Sequence, residues 1–275
     1  MNKQEAISIL KEHKQEHVIK RLEALGDDAA KKLISQVAMI DWKVVESIKD
    51  KAEDKGDAKK IEPLAAVEIN DIKKNKEKYT AKGVEAIKNG KVAAVLLAGG
   101  QGTRLGLDKP KGTLNVGVNK DLFLFGQLIH NLMDVVNQTG AWVPLYIMTS
   151  DKNNKDTVEF FEEHNYFGYD KDYVKFFIQS MVPSVDYNGK LYMESTDSLA
   201  MSPNGNGGWF LSLIAAGLDK DMQHKGIEYV NVFAVDNILQ RIADPAFIGA
   251  TILAGAECGS KVVRKCEPAE KVGVM

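Results

Sequence analysis

Hydrophobic residues recur at helical spacing through the first part of the chain. The series runs through Ile7, Leu10, Val18, Leu22 and Leu25, and it resumes at Val37, Ile40, Val45 and Ile48. This spacing predicts two amphipathic helices, and a third helical stretch is predicted within residues 70–88. The intervening "KAEDKGDAKK" has no apolar residue larger than alanine and is interpreted as a solvated connection. Residues 1–89 are therefore predicted to form a helical N-terminal region.

From residue 90 onward, short apolar runs alternate with helical patterns. The predicted strands are "KVAAVLLA", "PLYIMTS", "YVKFFIQ", "YVNVFAVD" and "SKVVRKC". The predicted helices are Phe123–Thr139, Asn153–Glu163, Gly207–Gln223 and Ala246–Gly255. Such alternation predicts an α/β domain over residues 90–275, with a largely parallel sheet covered on both faces. The Asn-Gly pair in "YNGKLYM" predicts a small hairpin laid over that sheet.

Charge and composition narrow the possible partners. The 36 basic and 38 acidic residues give a net charge of -2, which argues against a general nucleic-acid binder. No apolar run approaches the roughly 20 residues that span a bilayer, and the polar N-terminus has no signal-peptide core. We therefore expect a cytoplasmic protein without a membrane partner. Its two cysteines, Cys258 and Cys266, lack a metal-binding spacing and are expected to be buried, reduced thiols.

A glycine-rich loop follows the first predicted strand. Its glycines leave room for main-chain N–H groups to approach an anion closely. A dinucleotide-binding motif would need glycine at Leu105, and a phosphate loop of the Walker type would need glycine at Lys111. Neither motif fits, but two cations within the loop, Arg104 and Lys111, are suited to flank a polyphosphate. The loop glycines are Gly99, Gly100, Gly102, Gly106 and Gly112.

The residues alone leave the role of one further position open and favour ordinary structural roles at two others. Asp236 ends a predicted strand, where its carboxylate is suited either to Mg²⁺ or to capping the next helix. Gln179 ends another strand and is interpreted as an ordinary polar residue there. The stretch "SPNGNGG" has the composition of a turn.

The stretch "LLAGGQGTRLGLDKPKG" resembles the signature of the eukaryotic-type UDP-sugar pyrophosphorylases, most closely the UDP-N-acetylhexosamine pyrophosphorylases. The resemblance continues in order through "YIMTSDKN", "MSPNGNGGWFLSL" and "GIEYVNVFAVDNIL", and covers roughly residues 90–275. It implies a Rossmann-like nucleotidyltransferase fold with a mixed, mainly parallel sheet. One departure is Asn204, where the family commonly carries aspartate.

The resemblance also implies roles for individual residues. Arg104 and Lys111 are expected to face the phosphates as catalytic cations, and Asp236 is expected to bind Mg²⁺. Gln179 is expected to hydrogen-bond the uracil edge, and Asn206 the 2-acetamido group of the sugar. The remaining nucleotide-binding positions implied by the family are Leu97, Ala98, Gly99, Gly100 and Gly205.

The implied reaction joins UTP and a hexosamine 1-phosphate to give UDP-N-acetylglucosamine, or UDP-N-acetylgalactosamine, and pyrophosphate. UTP:glucose-1-phosphate or broader uridylyltransferase activity is one alternative, and a non-catalytic module that binds UTP or a UDP-sugar is another. Chains of this family normally continue past the point that matches "EKVGVM". We therefore expect this chain to be truncated at its C-terminus and to lack part of the sugar-phosphate site. The sequence does not indicate an oligomeric state.

Overall fold

The computed structural model describes residues 1–50, 66–102, 106 and 108–272, with the side chains of residues 48–50 excepted. Contacts divide the chain into two compact units. The first comprises Met1–Glu62 and Ser180–Asn204, and the second comprises Pro63–Gln179 and Gly205–Met275. Arg104 and the predicted solvated connection "KAEDKGDAKK" lie outside the described residues.

The first unit contains four described helices and one small antiparallel strand pair. Two helices were predicted, but the chain leaves helical geometry at Lys14, whose φ is +58°, and again before Asp27 and Trp42. Helix α1 begins with a capping box in which Asn2 and Glu5 each accept a main-chain N–H. The elements are α1 (Lys3–Glu12), α2 (Glu16–Ala24), α3 (Asp27–Ala38), α4 (Trp42–Asp50), β4 (Met181–Pro183) and β5 (Met201–Pro203).

The core of the first unit joins the N-terminal helices to the distant 180–204 segment. Leu10 and Leu22 of the helices lie in one buried cluster with Leu191 and Leu199 of that segment. The predicted hairpin exists as a tight turn closed by a bridge between Val185 and Leu191. The hairpin was predicted to lie over the main sheet, but it belongs to the first unit, and its buried Leu191 is part of the core of that unit.

The second unit is an α/β domain around a four-stranded parallel sheet, as predicted. The strand order is β3-β2-β1-β6, and every neighbouring pair is parallel. Its strands are β1 (Val92–Leu97), β2 (Leu145–Thr149), β3 (Val174–Ile178) and β6 (Tyr229–Ala234). Its helices are α5 (Ile69–Lys74), α6 (Lys76–Lys88), α7 (Leu124–Thr139), α8 (Asn154–Glu163), α9 (Trp209–Ala215), α10 (Leu218–His224) and α11 (Pro245–Leu253).

Both faces of the sheet are covered. On β1, Ala94 and Leu96 belong to the cluster that contains Leu128 of α7, whereas Ala93 and Val95 belong to the cluster that contains Leu213 of α9. Alternate residues of a strand point to opposite faces, so a strand buried on both sides has no polar position. This explains why "VAAVLL" is a continuous apolar run.

Three expectations for the second unit are corrected. No strand forms at "SKVVRKC", where Val263 is 92% exposed and has no hydrophobic layer to join. The predicted helix over residues 207–223 is divided at Gly217, whose φ of +72° ends α9 before α10 begins. Cys258 and Cys266 are both free and exposed rather than buried.

The units divide the chain differently from the predicted boundary at residue 89. Helices α5 and α6 belong to the second unit, where α6 packs closely against α11. The close approach depends on Gly83 and Gly249. A Cβ on Gly83 would lie 1.9 Å from the oxygen of Pro245, so no larger residue fits between these helices.

Among the described residues, none of the helices combines the length and the apolar character that crossing a membrane requires.

Candidate functional site

The described residues of the predicted site all lie in the second unit, mostly in loops that follow its parallel strands. The glycine loop follows β1, Gln179 follows β3, and Asp236 lies two residues after β6. Because the strands are parallel, these three loops leave the sheet at the same edge. Ligands of such sheets bind outside the carboxyl ends of the strands.

The glycine loop folds back so that its end returns to its beginning. Gln101 and Pro110 form an isolated antiparallel bridge. The amide of Gly102 donates to the oxygen of Lys109 at 3.1 Å, and the amide of Lys111 donates to the oxygen of Gly100 at 3.5 Å. This closure brings Lys111 back to the glycines that directly follow β1.

Lys111 and Asp236 form an ion pair although 125 residues separate them. Lys111 begins a short 3-10 turn, and the next residue, Gly112, lies against the ring of Phe125. A Cβ on Gly112 would lie 2.2 Å from that ring, so the packing fixes the backbone beside Lys111. The side chain of Asp236 is 63% exposed, which leaves the carboxylate open to a ligand. The structure therefore places the lysine that was predicted to face the phosphates beside the aspartate that was predicted to bind Mg²⁺.

Gln179 meets two of the predicted nucleotide-binding glycines. Its side chain is buried, with the residue 4% exposed. Its main-chain N–H donates to the main-chain oxygen of Thr149 at 2.8 Å and so extends the hydrogen-bond ladder between β2 and β3. Its side-chain Nε2 donates to the oxygen of Gly205 at 2.8 Å. A Cβ on Gly99 would lie 2.7 Å from its Oε1 atom. The carboxamide of Gln179 is thus held between the loop after β1 and the turn before α9.

Gly205 and Asn206 lie at the start of the turn that leads into α9. Gly205 has φ of +81°, a conformation that favours glycine, and its oxygen also accepts from the amide of Gly208 at 3.1 Å. Asn206 begins the 3-10 turn Asn206–Gly208, and its side chain is exposed. Leu97 ends β1, and Ala98 donates its amide to the oxygen of Met148 at 2.8 Å.

Comparison with known proteins identifies the family. The family described as UTP–glucose-1-phosphate uridylyltransferase matches residues 14–275. The chain belongs to this family. A mouse protein named UDP-N-acetylhexosamine pyrophosphorylase-like protein 1 is 44% identical over 204 residues, which cover 72% of this chain and 40% of that protein. The UDP-N-acetylglucosamine pyrophosphorylase of Saccharomyces cerevisiae is 41% identical over 211 residues, which cover 75% of this chain and 44% of that protein.

A solved structure shares the fold as well as the sequence pattern. It is the uridine diphosphate N-acetylglucosamine pyrophosphorylase of Trypanosoma brucei in complex with an inhibitor. The match has a TM-score of 0.76 at 30% identity and covers 93% of this chain and 56% of that one. The chain thus spans about half the length of the solved relative and less than half of the two relatives above. The resemblance of fold and family that the sequence indicated is confirmed.

The carboxylate of Asp236 is compatible with Mg²⁺ bound jointly by the protein and a substrate. Across residues 1–50, 66–102, 106 and 108–272, no group of three or more His, Cys, Asp or Glu side chains is suited to hold a metal. Magnesium is commonly bound through one or two carboxylates together with phosphate oxygens of the substrate. A single exposed carboxylate beside a predicted phosphate loop fits that mode of binding.

The structure adds Asn153, which the sequence pattern predicts only as the start of a helix. Asn153 is fully buried, and its side chain contacts the glycine loop rather than its own helix. The one sequence signal was an asparagine directly before an apolar helical pattern, which predicts a helix cap. That signal cannot reveal a contact with residues more than 50 positions earlier.

Proposed function

We propose that this chain acts as a uridylyltransferase that joins UTP to N-acetylglucosamine 1-phosphate, or to N-acetylgalactosamine 1-phosphate. The products are the UDP-sugar and pyrophosphate. The observation that carries the proposal is the Lys111–Asp236 pair, which places a cation and a carboxylate together after the glycine loop of a nucleotidyltransferase fold. The choice of an N-acetylated sugar is supported by the names of the relatives at 41% to 44% identity.

In the proposed reaction, an oxygen of the sugar 1-phosphate attacks the α-phosphorus of UTP in line. A new phosphorus–oxygen bond forms as the bond to the β-phosphate oxygen breaks, and pyrophosphate leaves with that electron pair. No protein nucleophile is required, because the attacking phosphate oxygen is already anionic. The contribution of the protein is positioning and stabilisation of charge on the leaving group.

Lys111 and Arg104 are assigned to the phosphates. The ammonium of Lys111 faces the carboxylate of Asp236 in the structure described here. We infer that the phosphates of UTP replace Asp236 as the partner of this ammonium, while the packing of Gly112 on Phe125 keeps the adjacent backbone in place. Asp236 is assigned to Mg²⁺, which when bound would neutralise charge on the phosphate oxygens.

Base recognition is assigned to Gln179 with the segment Leu97–Gly100 and Gly205. A carboxamide offers one acceptor and two N–H donors, which suits the mixed donor and acceptor edge of uracil. One donor is directed at Gly205, so the orientation of the amide is set before the base arrives. Asn206 is assigned to the acetamido group of the sugar on the basis of the family resemblance, and a site built around such a hydrogen bond would discriminate against a sugar without it.

The first experiment measures Mg²⁺-dependent release of pyrophosphate from UTP by this chain. N-acetylglucosamine 1-phosphate, N-acetylgalactosamine 1-phosphate and glucose 1-phosphate are compared, together with UTP binding by calorimetry. We expect turnover with an N-acetylated sugar to exceed turnover with glucose 1-phosphate. Absence of both turnover and UTP binding would overturn the proposal.

Two alternatives correspond to other outcomes of that experiment. A preference for glucose 1-phosphate would agree with the activity after which the matching family is named. UTP binding without turnover would mean that these 275 residues act as a nucleotide-binding module. The proposed partners are UTP and a sugar 1-phosphate. A cytoplasmic location and the absence of nucleic-acid and membrane partners stay predictions.

A further inference from the structure

Asn153 is a buried residue whose whole side chain is used in hydrogen bonds to main-chain atoms. It is 0% exposed. Its Nδ2 atom donates to the oxygen of Ala98 at 3.0 Å and to the oxygen of Gly100 at 3.3 Å. Its Oδ1 atom accepts the amide of Ser150 at 2.7 Å. One carboxamide therefore joins the loop after β2 to the loop after β1.

The role of a helix cap does not account for this arrangement. Asn153 occupies the N-cap position of α8, where an asparagine side chain usually accepts an amide from the first turn of its helix. Here its side chain makes no such hydrogen bond. The carboxamide is directed instead at two carbonyls of the glycine loop, more than 50 residues earlier in the chain.

Holding these two carbonyls also orients two amides. The carbonyl and the N–H of a trans peptide point in opposite directions across the peptide plane. With the oxygens of Ala98 and Gly100 directed at Asn153, the N–H groups of Gly99 and Gln101 are directed away from it. Main-chain N–H groups turned to one side of a loop can contribute to an anion-binding site.

The contact between Asn153 and the oxygen of Gly100 also involves Lys111, the proposed catalytic cation. The oxygen of Gly100 accepts both the side chain of Asn153 at 3.3 Å and the amide of Lys111 at 3.5 Å. Lys111 in turn pairs with Asp236. A displacement of the Gly100 peptide therefore changes the geometry of the glycine amides and of the Lys111 backbone together.

We propose that Asn153 is a positioning residue that holds the start of the glycine loop, from Ala98 to Gly100, in the conformation that binds UTP. This inference rests on the proposed function, since it requires UTP to bind at this loop. It assigns no contact between Asn153 and the substrate. The effect of Asn153 acts through the peptides of Ala98 and Gly100.

The test uses two variants of the full chain. Asn153→Asp keeps an acceptor for the amide of Ser150 but loses the donor, and it places a carboxylate against two carbonyl oxygens. Asn153→Ala removes donor and acceptor without adding a charge. We expect UTP affinity, measured by calorimetry at pH 8, to fall at least tenfold in both variants.

A pH series distinguishes positioning from a general loss of structure. Protonating the introduced carboxyl of the Asn153→Asp variant restores one O–H donor toward the loop. The affinity of this variant for UTP, divided by that of the wild type at the same pH, should therefore rise as the pH falls from 8 to 5.5. Asn231→Asp is the matched control. Asn231 accepts the amide of Ala243 at 2.8 Å, so the change keeps its hydrogen bond and should leave UTP affinity and its pH dependence unaltered.

The possible outcomes distinguish a failure of the positioning role of Asn153 from a failure of the proposed function. A wild-type chain that does not bind UTP contradicts the proposed function itself. If the wild type binds UTP and folded variants bind it within twofold as tightly, the positioning role is wrong. It is equally wrong if both variants unfold below the assay temperature, because Asn153 then serves the stability of the whole unit.

Discussion

The Nε2 atom of Gln179 donates a hydrogen bond to the main-chain oxygen of Gly205, 2.8 Å away. At the other end of the same carboxamide, Gly99 lies so close that a Cβ atom would be 2.7 Å from Oε1. Two of the glycines predicted to bind the nucleotide therefore define the position of the residue predicted to recognise its base. The geometry makes the absence of a side chain at Gly99 a requirement of the site.

The first prediction concerns Gly99→Ala. The new methyl group meets the far end of a flexible side chain, so we expect Gln179 to move and the fold to persist. Loss of an oriented base contact should weaken UTP binding about tenfold, roughly 1.4 kcal/mol, and reduce the preference for UTP over CTP. Calorimetric titration with both nucleotides measures this.

Gly26→Ala is the control for Gly99→Ala. No heavy atom lies within 4 Å of a Cβ at Gly26, whose φ of -66° any residue adopts. The melting temperatures of both variants should match that of the wild type, and Gly26→Ala should keep its affinity for UTP. Unchanged discrimination in a folded Gly99→Ala variant would remove Gln179 from base recognition.

The second prediction concerns the Lys111–Asp236 pair. Both side chains are partly exposed, so the pair should contribute less than about 1 kcal/mol to folding. Lys111→Ala should leave the melting temperature within about 4 °C of the wild type. Turnover should nevertheless fall by about 10² to 10³, the usual cost of removing one preorganised charge-stabilising group. Asp236→Asn should raise the Mg²⁺ concentration required for half-maximal turnover.

A second lysine–aspartate pair in the same unit offers the control. Lys261 Nζ lies 2.8 Å from Asp244 Oδ2, at a place where the sequence predicts no substrate contact. In thermal melting, Lys261→Ala should be as stable as Lys111→Ala. In pyrophosphate release, Lys261→Ala should turn over as fast as the wild type. Equal losses of turnover in the two lysine variants would mean that the effect of Lys111 is not local.

The sheet and its loops were predictable because they follow local rules. The strand "VAAVLL" is apolar throughout because both of its faces are covered, and functional loops follow the carboxyl ends of such strands. "SKVVRKC" has a similar local pattern but no layer to pack against, so the same rule predicted a strand that does not form. The hydrophobic periodicity of a segment indicates its preferred secondary structure, but it does not indicate which residues will pack against the segment in the fold.

The contacts between residues of the site could not be predicted from the sequence, because they join positions that are far apart in the chain. Lys111 was identified from its local context and Asp236 from the family resemblance, but neither indicates their ion pair, which joins positions 125 residues apart. Asn153 resembled an ordinary helix start because its partners, Ala98 and Gly100, lie in another loop. The position of the 180–204 segment was missed for the same reason. Its Leu191 packs with leucines that lie more than 160 positions earlier in the sequence.

The third prediction concerns a hydrogen-bonded network on α10. Asp221 accepts from the hydroxyl of Tyr146 at 2.7 Å, from Lys175 at 2.7 Å and from Lys225 at 2.8 Å. Partial burial acts to raise the pKa of Asp221, but the hydrogen bonds from both lysines and the tyrosine outweigh it and hold the pKa well below its usual range. We expect Asp221→Asn to lower the free energy of unfolding at pH 7 by about 1 to 3 kcal/mol.

The difference in unfolding free energy between the wild type and Asp221→Asn should depend on pH, in the direction set by the lowered pKa of Asp221. A carboxyl whose pKa is lowered by folding stabilises the protein above its unfolded pKa, near 3.8, and this contribution is lost as the pH falls toward the folded pKa. The difference between wild type and Asp221→Asn, measured by urea unfolding, should be constant from pH 7 to about 5 and shrink below about 4. Asp219→Asn on the same helix is the control, with an expected change below about 0.5 kcal/mol.

The fourth prediction concerns the crossing of α6 and α11. A Cβ on Gly249 would lie 1.8 Å from the oxygen of Tyr79, and one on Gly83 would lie 1.9 Å from the oxygen of Pro245. Both obstacles are main-chain atoms, so the helices must separate to admit a methyl group. Gly83→Ala and Gly249→Ala should each lower the free energy of unfolding by about 3 kcal/mol or more, despite the higher helix propensity of alanine. Lys88→Ala, at the exposed end of α6, should change stability by less than about 0.5 kcal/mol.

The double variant tests whether the two glycines serve one interface. Either substitution alone already forces α6 and α11 apart, so the second should cost much less than the first. Urea unfolding of the two single variants and of the Gly83→Ala/Gly249→Ala chain measures the coupling. Strictly additive losses would show that each glycine is required for a separate contact, and stabilised single variants would contradict the close helix approach altogether.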